Sequence, residues 1–325
     1  MTDFYAGVDL GGTNVRAAVV DSSGNIFGEA KQPSLAMEGP DTTVPIIIRT
    51  IQEAAKDAGV EFSRISGIGM GVPGRHNSKE GIVLWNPNFK GWGGLHLAKP
   101  ITDALGVPVY MGNDVNVAAL GEFRFGAGKN ASSMVMITLG TGIGGGIILN
   151  GKLWAGANDG AGEIGHQVIN ANGRQCGCYR FGHLEAEAGR DGIIERARRK
   201  IMEGRKTVLT ESADPDFMDI TPASIAHAAD SGDPVAQEVM EETGYLIGIG
   251  VSNAINFLNP EMFVIGGGVS LAGPVLWDPI MRAVKANTLE HALQACRIVP
   301  AELGDDAGIL GGVVLVLQAM EDAVR

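Results

Sequence analysis

Cysteine is scarce in this chain, with three in 325 residues. So few thiols exclude a disulfide framework as the source of stability and suit a reducing compartment. Basic residues are outnumbered, 25 against 37 acidic, for a net charge of -12. That balance, with no basic run to offset it, excludes nucleic acid or an anionic membrane surface as the main partner. No apolar run reaches the roughly 18–20 residues needed to span a bilayer. The chain enters an apolar strand pattern at Phe4 with no basic leader or cleavage signal before it. These absences lead to the expectation of a soluble, cytoplasmic protein with no nucleic-acid or membrane partner.

What is abundant is glycine, 48 residues, set after apolar runs where sharp turns or close ligand approach need it. With 45% hydrophobic content the chain can bury a large core, and its length suggests two domains. Two of the three cysteines cluster at Cys176 and Cys178, between His166 and His183. Two thiols and two imidazoles supply the four ligands of a closed tetrahedral zinc site. A polar surface loop with incidental cysteines is the plainer alternative. Glu163 and Glu185 flank the segment; zinc would not need them, so they are free to accept hydrogen bonds from a polyhydroxylated ligand.

Phe4 to Leu10 reads as a buried strand, followed by the turn Asp9-Leu10-Gly11-Gly12-Thr13-Asn14-Val15-Arg16 and a second apolar run from Ala17 to Val20. Strand, glycine turn, strand describes a hairpin whose backbone N–H groups can cradle a phosphate, or a hairpin with no ligand. Met134 to Leu139, Gly140-Thr141-Gly142-Ile143-Gly144-Gly145-Gly146 and Ile147 to Leu149 repeat the pattern. Gly140, Gly142 and Gly145 formally match G-x-G-x-x-G, but a dinucleotide fingerprint should open a helix there, and a strand follows instead. Two such hairpins point to an internally duplicated α/β fold. Helices are expected over 41–58, 95–105, 184–202, 224–229, 234–257 and 308–320, and strands over 65–72, 107–111 and 262–265. Asn113-Asp114 follows a strand and opens a helix, as an N-cap or as a functional pair at a strand's C-terminal end. Gly266-Gly267-Gly268 is a third glycine turn at a strand end.

Taken in order, Asp9-x-Gly11-Gly12-Thr13-x-x-Arg16, Gly112-Asn113-Asp114, Thr138-Leu139-Gly140-Thr141-Gly142-Ile143-Gly144-Gly145, Glu163-x-x-Gly165-His166 and the cysteine segment through Glu185 resemble the ROK (repressor, open reading frame, kinase) family. The resemblance covers nearly the whole chain. It implies a duplicated actin-like ATPase (ribonuclease H-like) α/β fold, two domains with an interdomain cleft. The expected division is 1–118 plus 308–325 for the smaller domain and 119–307 for the larger. It further implies an ATP-dependent hexose kinase, most like the glucokinase branch, with N-acetylmannosamine kinase or another hexose kinase as alternatives. A homodimer is implied as well.

Under that resemblance ATP phosphates and Mg²⁺ are expected at Asp9, Gly11, Gly12, Thr13, Asn14 and Arg16, and at Thr138, Gly140, Thr141, Gly142 and Gly144. Gly266, Gly267 and Gly268 would border the adenosine. Asp114 is the implied general base; Gly74, Asn113, Asp114, Glu163, His166 and Glu185 are the implied hexose-binding residues. The absence of a Walker A motif excludes the P-loop route. The family's cysteine segment usually reads C-x-C-G-x-x-G-C-x-E; here its third cysteine is His183 and a glycine is Tyr179. The expected structural zinc site is therefore His166, Cys176, Cys178 and His183. A sugar-responsive repressor of the same family would need a helix-turn-helix domain before Asp9, and a chaperone-like ATPase would have no use for the sugar-reading carboxylates.

Overall fold

The computed structural model describes residues 3–86, 89–211 and 219–324. Strands β1 (Phe4–Leu10), β2 (Asn14–Asp21) and β3 (Ile26–Pro33) lead to helix α1 (Pro40–Asp57) and strand β4 (Ile65–Val72). Three short strands follow, β5 (Arg75–Asn77), β6 (Ile82–Trp85) and β7 (Leu95–His96), then α2 (Ala98–Leu105), β8 (Val109–Asn113) and α3 (Asp114–Phe125). The second series opens with β9 (Met134–Leu139), β10 (Ile143–Leu149) and β11 (Lys152–Leu153). It continues through α4 (Leu184–Ala188), α5 (Arg190–Met202), α6 (Pro222–Asp230) and α7 (Pro234–Leu258). Strand β12 (Met262–Gly266), α8 (Pro274–Asn287), α9 (Glu290–Ala295), β13 (Arg297–Pro300) and α10 (Ala307–Val324) complete it.

The two principal sheets have strand orders β3-β2-β1-β4-β8 and β11-β10-β9-β12-β13. Each is a hairpin plus a third strand on one side and two further strands on the other, so the duplication expected from the glycine hairpins is present. In the first sheet β1 pairs antiparallel with β2 and parallel with β4, which pairs parallel with β8. In the second, β12 runs parallel to both β9 and β13.

Two compact units result: Met1–Ser132 with Gly146–Gly162 and Glu302–Arg325, and Ser133–Gly145 with Glu163–Ala301. The boundary expected after residue 118 lies inside α3, which stays with the first unit because it packs on α10. Strand β10 carries the chain from the second unit into the first.

Period-two alternation explains how the first sheet holds helices on both faces. Ala17 and Val19 of β2 join Ile47 and Ile51 of α1 in one core. Ala18 and Val20 join Ile309, Leu310, Val313 and Val316 of α10 in another. Helix α10 lies close because the sheet offers glycine beneath it. A Cβ at Gly69 of β4 would overlap the carbonyl of Gly312. Helix α1 starts with Pro40 at its first turn, where a missing N–H costs nothing, and ends before Gly59 at φ 62.

Some elements differ from the sequence reading. The helix expected over 95–105 begins only at Ala98, because Leu95 and His96 pair with Val83 and Ile82 as strand. The strand expected to end at Met111 runs on to Asn113. The helix expected over 184–202 breaks at Gly189, whose extended backbone separates α4 from α5. Gly69→Ala should lower the unfolding free energy by about 2–3 kcal/mol through overpacking, whereas exposed Gly59→Ala should cost about 1 kcal/mol or less. Denaturant titration checks both; equal small effects would show that α10 can retreat from the sheet.

Candidate functional site

In the first unit, Asp9 lies one residue before the end of β1, opposite Arg16 across the hairpin. The turn between them is closed by Gly11 N–H donating to the Asn14 carbonyl at 2.8 Å. Ser34, fully buried, braces it from outside: its hydroxyl donates to the Gly12 carbonyl at 3.0 Å and its N–H to the Thr13 carbonyl at 2.9 Å. Gly12 and Thr13 themselves are exposed. Burial, with the neighbouring charges of Asp114 and Asp305, pushes the Asp9 carboxyl up to about 6, while Arg16 opposes the rise. The Arg16 guanidinium is held by Asp306 at 2.9 Å, Glu29 at 3.4 Å and the Asp305 carbonyl at 2.7 Å.

Asn113 closes β8 and caps α3, its Oδ1 accepting from Val115 N–H at 3.0 Å and Asn116 N–H at 3.2 Å. Its amide Nδ2 donates to the Gly74 carbonyl at 3.4 Å. The capping role and a place beside Gly74 therefore coexist in one side chain. Gly74 sits at φ 99, where a Cβ would strike the Trp85 carbonyl, so this loop depends on glycine. Asp114 is half-buried in the first turn of α3, the end at which the helix dipole favours a carboxylate. Trp85 is exposed and Trp92 fully buried; between them Pro87 and Asn88 lie outside the described residues.

In the second unit, Thr138 and Leu139 end β9, and Gly140 N–H donates to the Gly142 carbonyl at 3.0 Å to close the turn before β10. Thr138 pairs with Gly266 of β12. Gly267, at φ 85, packs on the Leu139 backbone with no room for a Cβ. A cavity of about 670 Å³ opens here, lined by Gly140, Arg190, Pro222, His227, Gly268 and Val269 among others. Its volume fits a nucleoside.

The metal-type cluster is assembled as expected. His166, Cys176, Cys178 and His183 place one donor atom each within 4.8 Å of one another. His166 Nδ1 is 3.1 Å from His183 Nδ1 and 3.7 Å from Cys176 Sγ; Cys178 Sγ is 3.3 Å from His183 Nδ1. Donors on a tetrahedron around zinc stand roughly 3.3–3.8 Å apart; the 3.3 and 3.7 Å separations match this, the 3.1 Å histidine pair is tighter, and the four donors could together hold an ion. Burial and the nearby His166 and Arg180 charges hold the His183 imidazole below its ordinary value, which favours the neutral form a metal needs. Burial pushes the Cys176 thiol up to about 11. His166 turns Nδ1 to the cluster, leaving Nε2 facing exposed Glu163 at 3.8 Å. Glu185 Oε2 accepts from Ile143 N–H at 3.0 Å.

Sequence reasoning missed Asp305 and Asp306, the partners of Arg16, although two acids directly before a helix are a start signal. It also missed Ser34, Arg190 and the cavity wall at Pro222 and His227, which no local pattern marks.

A family model described as "ROK family" matches residues 5–319. A protein of Halalkalibacterium halodurans named glucokinase is 36% identical over 316 residues, 97% of this chain and 95% of that one. The crystal structure of a ROK family glucokinase from Streptomyces griseus in complex with glucose and AMPPNP superposes with a TM-score of 0.81 at 33% identity, covering 97% of this chain and 99% of that one. A xylose repressor of Caldicellulosiruptor bescii is 30% identical, over 97% of this chain and 78% of its own length.

The Asp9 carboxyl is raised, so folding is opposed where Asp9 must ionise. Its contribution to stability is fully present below pH 4 and lost as pH rises through about 6. Asp9→Asn should therefore be more stable than the parent at pH 7.5 by on the order of 3 kcal/mol, with no gain below pH 4. Denaturant titrations at the two pH values check this; equal stability at both would show that the carboxylate is held without cost.

Proposed function

The chain belongs to the ROK family, and from this we propose that it is an ATP-dependent hexose kinase that phosphorylates the 6-hydroxyl of glucose. The observation that carries the reading is Asp114 in the first turn of α3, directly after the carboxyl end of β8, the edge strand that runs parallel to β4. There a carboxylate can take the hydroxyl proton as the oxygen attacks the γ-phosphorus. Phosphoryl transfer asks a protein mainly for positioning and charge stabilisation, and the rest of the chain supplies these.

The backbone of the Gly11–Asn14 turn and of the Gly140–Gly144 turn would hold phosphate oxygens. The cavity beside Gly140 and Gly268 would take the adenosine. Asp9, held among Asp114 and Asp305, is the residue that would bind Mg²⁺, because a divalent cation relieves the crowding of these acids. When bound, Mg²⁺ supplies charge neutralisation to the phosphates. Gly74, Asn113, Glu163, His166 and Glu185 would read the sugar. Zinc is the ion proposed for the cluster, in a structural role, since four protein donors leave no open position. By holding Nδ1 it would fix the His166 ring so that Nε2 points outward.

The likeness to a xylose repressor favours one second reading, a sugar-binding regulator of the same family without turnover. N-acetylmannosamine kinase is the nearest alternative substrate assignment. ADP release with Mg²⁺ and ATP, measured against glucose, mannose, fructose, N-acetylglucosamine and N-acetylmannosamine, separates these. Turnover with glucose is expected; binding of sugar without ADP release would select the regulator.

Asp114→Asn should fold, bind glucose and lose about 10²–10⁴-fold in kcat. An active variant would remove Asp114 from the mechanism. Cys176→Ser and His183→Ala should each lower bound zinc, measured by metal analysis, and weaken glucose binding together. Undiminished glucose affinity in metal-free protein would sink the orienting role.

A further inference from the structure

Glu185 holds more of this structure than a sugar-reading carboxylate needs to. It is half-buried on the five-residue helix α4, which begins directly after the cluster residue His183. Its Oε2 accepts from the backbone N–H of Ile143 at 3.0 Å, the residue that follows the Gly140–Gly142 turn. A Cβ at Gly142 would overlap that same oxygen, so the turn and the carboxylate are in direct packing contact. On its other side, Oε1 lies 3.6 Å from Cys176 Sγ. The helix break four residues later acts on the same turn. Gly189 N–H returns to the Glu185 carbonyl at 2.8 Å, and Arg190 N–H donates to the Gly140 carbonyl at 3.1 Å. One short segment, 185–190, therefore grips both ends of the glycine turn.

We propose that Glu185 is a positioning residue for the phosphate-holding turn Gly140–Ile143, so that the metal cluster and the nucleotide are coupled through its carboxylate. The nucleotide half of this inference rests on the kinase reading; the bracing of the turn does not. A carboxylate bonded to a backbone N–H is a charge-assisted contact, stronger than a neutral one, and it fixes the direction in which the neighbouring N–H groups point. Without it the turn keeps the Gly140–Gly142 bond but loses its anchor at Ile143. Sugar hydroxyls can still be read, because a carboxylate offers about four acceptor positions and Ile143 uses one.

Two measurements test this on the full chain. The affinity for Mg²⁺–AMPPNP is measured in the absence of sugar, and hydrogen exchange is followed at the Ile143 amide. Glu185→Ala should weaken AMPPNP about 5- to 20-fold and speed Ile143 exchange by at least a similar factor, as expected for a lost bond to a charged acceptor. Glu185→Gln keeps an acceptor oxygen. It should restore most of the AMPPNP affinity and Ile143 protection, yet leave glucose binding weakened. Gly142→Ala, which displaces the carboxylate, should resemble Glu185→Ala in AMPPNP affinity.

Unchanged AMPPNP affinity and unchanged Ile143 exchange in Glu185→Ala would overturn the proposal and leave Glu185 a reader of sugar alone. Loss of affinity that Glu185→Gln fails to restore would overturn it as well, since charge and not the anchor would then matter. If the parent protein binds no AMPPNP at all, the kinase reading fails, and Ile143 exchange still decides whether Glu185 braces the turn.

Discussion

The close approach of α10 to the first sheet is the constraint on which the first unit depends. Glycine at Gly69 on the strand side and at Gly312 on the helix side lets backbone lie against backbone, where any side chain would force separation. That approach has chemical consequences. It brings Gly308, at the start of α10, against the Asp9 carboxylate, and it sets Asp305 and Asp306 within reach of Arg16. The crowding that raises Asp9 is thus produced by the same packing that closes the core. An ionised Asp9 is held at a cost, and burial sets most of the size of that cost.

The hairpins, the duplication and the metal-type cluster were legible in the sequence because each is a local pattern. A buried apolar strand, a glycine turn and a second strand can be recognised within twenty residues, and the two sheets then repeat one strand order. His166 and His183 flank the two cysteines so tightly that a loop of ordinary size must bring them together. Long-range partners were not legible. Arg16 reads as part of the first glycine motif, and nothing near it announces Asp306, 290 residues away. The cavity wall at Pro222 and His227 belongs to a helix whose capping box and proline specify a helix start, not what its face borders.

The break at Gly189 shows why helix boundaries are harder to read than helix content. Residues 184–202 carry a helical apolar pattern, although Gly189 and Gly192 within it are weak helix formers. What competes is the need of Gly140 for a donor. Extending the backbone at Gly189 frees Arg190 N–H for that carbonyl, and a new helix then starts at once. A tertiary hydrogen bond at a turn thereby decides a helix end more than forty residues later in the chain.

The departure of the cysteine segment from its usual pattern has two parts that act on one loop. His183 in place of a thiol keeps a donor in the cluster, and a doubly charged ion held there would be balanced by two thiolates instead of three. Tyr179 in place of a glycine stands at φ 66, a conformation that costs a residue with a Cβ about 1–2 kcal/mol. The loop offsets this with its own backbone bonds, Cys176 N–H to the Arg180 carbonyl at 2.7 Å and Tyr179 N–H to the Cys176 carbonyl at 2.8 Å. It is anchored again where Gly182 N–H meets the Arg174 carbonyl at 2.8 Å. A strained residue held by its neighbours between two metal-type donors means that the fold itself sets the geometry of the donors. A weaker charge attraction for any ion held there would thus be matched by a loop whose shape its own backbone bonds set.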